Sequence, residues 1–133
     1  MRTRLEVTSS GFPPYPIEAE RLGPDQFGMR LAEFLAIELV DRGFSVLGTD
    51  FEAWGVKVVL ENPDFPLWIG CCNCQGVENR FLCFIEPHKP YAGSWLKRVA
   101  TEPTIGALAS ALESILLENS RVTQLRWLDG DGG

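Results

Sequence analysis

Three apolar runs separated by short polar gaps dominate the middle of the chain. The runs cover 54–60, 65–72 and 80–86. The gaps between them, 61–64 and 73–79, are rich in the residues that turns use. Gaps this short reverse a chain but cannot hold a crossover helix. The pattern therefore predicts an antiparallel meander of three strands.

Side chains alternate between the two faces of a strand, so the same runs assign a core face and an opposite face, called here the outer face. We expect Trp54 to be deeply buried on the core face, so that its truncation would cost about 3–5 kcal/mol. The predicted core face carries Trp54, Val56, Val58, Leu60, Phe65, Leu67, Ile69, Cys71, Phe81, Cys83 and Ile85. The outer face mixes polar and bulky apolar groups: Lys57, Val59, Trp68, Gly70, Cys72, Leu82, Phe84 and Glu86.

Two stretches place apolar residues at helical spacing. The first helix is predicted over 24–42, with Pro24 near its start and Gly43 just past its end. The second is predicted over 102–118, with an apolar stripe formed by Ile105, Leu108, Ala109, Leu112, Ile115 and Leu116. Further strands are predicted over 4–8, 45–49 and 122–128, and one or two helical turns over 94–100.

Clustered strands between two helices indicate an α+β fold. We predict an antiparallel sheet of about five to six strands with two main helices packed on one face. The length of 133 residues fits a single domain over 1–133. Prolines in the segment 9–22 predict an extended arm, and the acidic, glycine-rich segment 129–133 predicts a flexible tail.

The composition narrows the classes of partner and the expected compartment. A net charge of −6 disfavours nucleic acid and anionic membranes, which are bound mainly through Lys and Arg, but permits a basic protein partner. No apolar run approaches the roughly 20 residues that a membrane-spanning helix needs. No apolar stretch follows Arg2 and Arg4, as it would in a signal peptide. We therefore expect a cytoplasmic protein with free thiols.

The four cysteines do not have the spacing of a zinc site. Zinc is typically held by two separated pairs, whereas Cys71 and Cys72 are adjacent on a strand and point to opposite faces. We predict no metal and no cofactor. Cys71 and Cys83 share the core face and are expected to pack as small hydrophobes. A regulatory thiol at Cys72 or Cys74 would need exposure and nearby positive charge, which the sequence does not show.

Sequence motifs do not favour an enzyme. The chain has no phosphate loop, nucleophile elbow or dinucleotide fingerprint, and His88 is the only histidine that could act as a base. A small-molecule-binding or enzymatic domain stays open as the alternative function. Its pocket would lie between the sheet and the loop from His88 to Trp95, with Glu52 and Cys74 as further polar groups.

Four bulky apolar residues make the outer face the candidate interaction site. Val59, Trp68, Leu82 and Phe84 lie on three consecutive predicted strands, so antiparallel pairing should gather them into a patch. Exposed apolar patches usually mark interaction sites. Either the proline-rich arm or another subunit could cover this one. We predict that the arm covers part of it, and that a homodimer contact or another protein partner covers the rest.

Three short segments carry a resemblance to a group of proteins. The sequence Glu52-x-Trp54-Gly55, the sequence Ile69-Gly70-Cys71 and the helix from Leu31 towards Gly43 resemble small uncharacterised bacterial α+β proteins, over 31–87. Some such domains are similar in size and acidity to immunity proteins that neutralise secreted toxins. The resemblance implies a non-catalytic interaction module, of which an inhibitor or immunity protein is one form. It transfers no catalytic residue.

Overall fold

The computed structural model describes residues 1–21 and 26–130. Within these residues the chain forms a six-stranded sheet, a two-stranded hairpin and three helices. The strands are β1 (Arg4–Ser9), β2 (Val46–Glu52), β3 (Gly55–Leu60), β4 (Leu67–Asn73), β5 (Arg80–Glu86), β6 (Tyr91–Ser94), β7 (Lys97–Ala100) and β8 (Val122–Trp127). The helices are α1 (Pro16–Arg21), α2 (Met29–Asp41) and α3 (Glu102–Leu117). None of the helices in the described ranges is long and apolar enough to cross a membrane.

The large sheet is antiparallel throughout, with strand order β2-β3-β4-β5-β1-β8. Strands β2 to β5 form a continuous meander because short turns join them. The first strand, β1, then lies beside β5 and pairs on its other side with β8, near the end of the chain. The structure confirms the predicted α+β class and the predicted meander.

Both long helices contribute to a core that lies on the predicted core face. Leu35 of α2 and Leu112 of α3 are fully buried in the same cluster as Val58 of β3 and Ile69 of β4. Cys71 and Cys83 also lie in this cluster, opposite each other on β4 and β5. The assignment of faces from strand alternation therefore holds along β3, β4 and β5.

Trp54 is an exception, because it lies on the outer face and is only half-buried. The last residue pair of the β2–β3 ladder is Glu52 with Gly55, so Trp54 belongs to the turn between the strands. Alternation holds only within a strand, and the prediction carried it one residue too far. The expected burial of Trp54 in the core is wrong, and the cost estimated for a core truncation does not apply to it.

The segment predicted to form helical turns over 94–100 is instead a β-hairpin. Strands β6 and β7 pair with each other, and Trp95 and Leu96 form the turn between them. The backbone at Gly93 has φ of 92°, and a Cβ added there would lie 2.3 Å from the carbonyl oxygen of Lys97. Glycine therefore permits this turn, whereas the sequence pattern contained no period that identified it.

The proline-rich arm packs on the helix side of the sheet, so the prediction that it covers part of the outer face is wrong. Phe12 is buried, with its ring 5.4 Å from that of Phe34 and 6.1 Å from that of Phe81. Tyr15 lies against the guanidinium of Arg30, and Ile17 is exposed. The arm also contains helix α1, which its prolines did not suggest.

Two predicted boundaries change. Helix α2 begins at Met29, and Pro24, where its start was predicted, lies outside the described residues. Asp129, the first residue of the predicted tail, is held by the chain's other end. Its carboxylate accepts hydrogen bonds from the backbone N–H groups of Thr3 and Arg4 at 2.8 and 2.9 Å, and from the Thr3 hydroxyl.

A buried carboxylate caps the N-terminus of α2. Glu18 is fully buried, and its Oε2 accepts hydrogen bonds from the N–H groups of Gly28 and Met29 at 2.7 and 2.9 Å. Its Oε1 accepts a hydrogen bond from the N–H of Tyr15 at 2.8 Å. The first N–H groups of a helix lack partners within the helix, and its dipole favours an anion there. Glu18 therefore joins the arm to the helix that covers the sheet.

Replacing Glu18 by Gln should reduce the free energy of unfolding by about 2 kcal/mol, because hydrogen bonds to a charged group contribute about 1.5–3 kcal/mol. In the Gln variant, the side-chain NH2 group would replace one of the two carboxylate oxygens. It would then face a backbone N–H group, to which it cannot offer an acceptor. Urea unfolding followed by circular dichroism measures the change. Glu20→Gln is the matched control, since Glu20 is exposed on the same helix and its loss should cost no more than about 0.5 kcal/mol. Equal effects from the two variants would contradict this role for Glu18.

Candidate functional site: the outer face

The structure places the four predicted interaction residues together on the outer face. Val59 of β3 lies opposite Trp68 of β4, and Phe84 and Leu82 follow on β5. All four are half-buried rather than exposed. The patch therefore exists, but much of its apolar surface is already covered by neighbouring side chains.

Three aromatic rings, Trp54, Trp68 and Phe84, form the centre of this face and are called here the aromatic cluster. The Trp54 and Trp68 rings stack with centroids 5.7 Å apart and an interplanar angle of 20°. Phe84 packs at 5.0 Å from Trp54 and 5.7 Å from Trp68. Such aromatic pairs stabilise by about 0.5–1.5 kcal/mol beyond their buried area. The three rings therefore pack against one another and cover much of each other's surface.

Gly70 makes room for the cluster. It lies opposite Phe84 in the β4–β5 ladder, and a Cβ added to it would lie 2.2 Å from Cζ of the Phe84 ring. Any other residue would force the ring to move. The sequence contained this glycine within an apolar strand, which is a known sign of close approach, but it did not identify the ring.

A pair of charged residues borders the cluster. The ammonium of Lys57 lies 5.0 Å from the centre of the Trp68 ring and 3.2 Å from Oε1 of Glu52. A cation over an indole is attracted to the ring, whereas a partly exposed ion pair adds little. Glu52, predicted to line a different pocket, is thus paired with a cation of the outer face.

A shallow groove of about 610 Å³ continues from the cluster towards the sheet edge. Val59 and Trp68 line it, and Leu47 on edge strand β2 is 66% exposed beside it. Its lining residues are Leu47, Lys57, Val59, Leu60, Glu61, Asn62, Pro63, Asp64, Phe65, Pro66, Leu67 and Trp68. Sequence reasoning missed Leu47 as a site residue, because its proximity depends on the position of β2 beside β3. It identified 61–64 only as a turn, although this segment joins β3 to β4 beside the groove.

The four residues of the alternative pocket do not come together. Cys74 follows β4 and its N–H bonds to the carbonyl of Arg80, at the start of β5, whereas His88 follows the end of that strand. A seven-residue strand separates them by about 20 Å at the rise of about 3.3 Å per residue. Glu52 is paired on the outer face, and Trp95 lies in the hairpin turn with 84% of its surface exposed.

His88 instead lies in a cleft of about 290 Å³ lined by Thr3, Arg4, Phe84, Ile85, Glu86 and Asp129. Its Nδ1 is 2.9 Å from both carboxylate oxygens of Glu86. Burial acts to raise the pKa of Asp129, but the hydrogen bonds from Thr3 and Arg4 outweigh it and hold that pKa below its usual value. The Thr3 hydroxyl in this cleft donates to Asp129, and no serine or cysteine is among the lining residues.

Three of the thiols, those of Cys71, Cys72 and Cys74, lie in surroundings that raise their pKa values. A hydrogen bond with Cys83 and burial raise the pKa of Cys71 well above its usual value. Burial raises the pKa of Cys72 to about 11 and also raises that of Cys74. Reactive thiols have lowered pKa values, so the shifts at Cys72 and Cys74 are opposite to those of an activated cysteine. In the described part of the chain, no group of three His, Cys, Asp or Glu side chains is arranged to hold a metal ion.

Comparison with protein-family models, with curated proteins and with solved structures finds no match to this chain. The resemblance to small bacterial α+β proteins therefore stays a prediction.

Gly70→Ala should lower the free energy of unfolding by about 1–3 kcal/mol, as overpacking does, and weaken the near-ultraviolet circular dichroism of the stacked indoles. Gly106→Ala is the matched control. Nothing lies within 4 Å of a Cβ added at Gly106 in α3, so this change should stabilise by about 0.5–1 kcal/mol. Adding Phe84→Leu to Gly70→Ala should recover part of the loss, since contacting residues are energetically coupled. Strict additivity of the two changes would contradict the proposed contact.

Proposed function

We propose that this chain is a non-catalytic protein-interaction module that binds another polypeptide on its outer face. The observation that carries the proposal is the aromatic cluster beside an open apolar groove, on the sheet face opposite α2 and α3. Apolar patches of this kind on soluble proteins usually mark interaction sites.

The composition of the face supports a polypeptide as the ligand. Tryptophan is enriched among the residues that dominate binding energy at interfaces, and two tryptophans lie here. Because stacking already fixes their rings, binding would cost little ordering entropy at these side chains. Charged groups lie around the apolar centre, with Glu61 and Asp64 lining the groove and Lys57 beside Trp68. An apolar centre with a polar rim is the usual anatomy of a protein interface.

The acidity of the chain favours a partner with a basic surface. The net charge of −6 speeds encounter with cations and repels polyanions. An inhibitor or immunity protein of a bacterial cytoplasm would bind in this way, and that finer assignment rests on the resemblance noted above.

A small-molecule-binding function is the second candidate, and one observation favours it. The pairing of His88 with Glu86 in a cleft beside Arg4 and Asp129 could orient a polar ligand. This cleft is not lined by Glu52, Cys74 or Trp95, which were predicted to share a pocket with His88. The interaction function is therefore the better supported of the two.

Photo-crosslinking in the cell that makes the protein tests the proposal. A benzophenone amino acid at position 47, beside the groove, should give a discrete covalent adduct with a polypeptide. Position 37 is the matched control, because Ile37 is 65% exposed on α2 and Leu47 is 66% exposed. Absence of any adduct from position 47, or the same adducts from both positions, would show that the outer face is not a binding site.

A further inference from the structure

The β6–β7 hairpin presents the most exposed apolar side chains among the described residues. Trp95 is 84% and Leu96 is 76% exposed, and together they form its turn. The base of the hairpin is fixed, since Ala92 and Val99 pack against the core and the Thr101 N–H bonds to the Pro90 carbonyl at 3.0 Å. The hairpin therefore holds two large apolar groups away from the body at a defined position.

This hairpin is basic in an acidic protein. The segment 87–101 contains Lys89, Lys97 and Arg98 and no carboxylate, whereas the whole chain has a net charge of −6. Lys97 and Arg98 directly follow the turn, and both are exposed. Arg98 lies over the Tyr91 ring at 4.3 Å, which orients its guanidinium. The tip is thus an apolar pair with cations on one side.

The groove on the outer face has the complementary character. Leu47, Val59 and Trp68 supply apolar surface, and Glu61 and Asp64 place carboxylates along it. Lys57 also lines the groove, but its ammonium is paired with Glu52 at 3.2 Å. Its volume of about 610 Å³ falls within the range of roughly 300–1,000 Å³ that is usual for ligand sites. The tip does not occupy the groove of its own copy, because no hairpin residue is among the residues that line the groove.

We propose that the Trp95–Leu96 turn of one copy binds in the outer-face groove of a second copy, with Lys97 and Arg98 facing Glu61 and Asp64. The inference rests on the proposed function, since it names the occupant of the same face. Two such contacts related by a two-fold axis close a dimer in which each hairpin is buried by the other copy. Repulsion between two acidic bodies is short-ranged, because the Debye length is about 8 Å at physiological salt.

Charge reversal at the two sides of the contact tests the inference. One variant carries Lys97→Glu and Arg98→Glu, and the other carries Glu61→Lys and Asp64→Lys. Each alone brings like charges together and should be monomeric by sedimentation equilibrium. An equimolar mixture restores opposite charges at both contacts and should again form dimers. The control variant, Glu20→Lys with Glu78→Lys, changes the net charge by the same amount as the second variant at two exposed positions and should dimerise as the wild type does.

A third variant removes the apolar anchor without touching charge. Trp95→Ser should raise the dimer dissociation constant at least tenfold while leaving the thermal unfolding midpoint of the monomer unchanged, because the side chain is exposed. A wild type that stays monomeric over concentrations at which micromolar complexes form would overturn the inference. Dimers that survive these changes, or monomeric variants that fail to associate when mixed, would do the same.

The outcomes separate this inference from the proposed function. A cross-link from position 47 to a different protein, together with a monomeric wild type, would leave the outer face as a binding site and exclude a second copy as its occupant. A tryptophan beside cations could instead bind an anionic membrane. Flotation with vesicles rich in phosphatidylserine tests that alternative. Binding that depends on Trp95 in a monomeric protein would assign the hairpin to membranes and overturn the inference.

Discussion

When helices cover only one face of a sheet, the apolar side chains on the other face need a different cover from water. Here α2 and α3 pack on the core face, and the aromatic cluster covers the strands on the opposite side. This arrangement depends on Gly70, because only a residue without a side chain lets the Phe84 ring lie against β4. The same rings that reduce exposure also form an apolar surface beside the groove, so the stability of the fold and its candidate site share one set of contacts.

Local pattern was enough to predict the central part of this fold. Alternation along β3, β4 and β5 separated the core face from the outer face, and helical spacing identified α2 and α3, because burial on one face imposes a period on the sequence. The pattern failed at Trp54, where a strand ends and a turn begins. It also failed over 91–100, where short strands around Gly93 place only Ala92 and Val99, both partly buried, against the core. Two inward residues are too few to show a period.

The candidate site was only half predictable, for a different reason. Val59, Trp68, Leu82 and Phe84 follow from alternation, since strands joined by short turns are neighbours. Leu47 enters the site through the position of β2 at the edge of the sheet, which depends on tertiary structure. The proposed pocket around His88 failed because Cys74 and His88 lie at opposite ends of β5. These two residues are close in the sequence, but the strand between them places them far apart in space.

Net charge alone also hides how charge is distributed in this molecule. A value of −6 suggested that cations would come from a partner, yet the chain holds a continuous segment, 87–101, without a carboxylate. Concentrating Lys97 and Arg98 beside an exposed tryptophan has no evident benefit for folding, because Trp95 is mostly exposed and so contributes little to the core. A hairpin whose base packs against the core while its apolar tip stays in water retains an unfavourable exposed surface. The intermolecular contact proposed above would remove that surface from water.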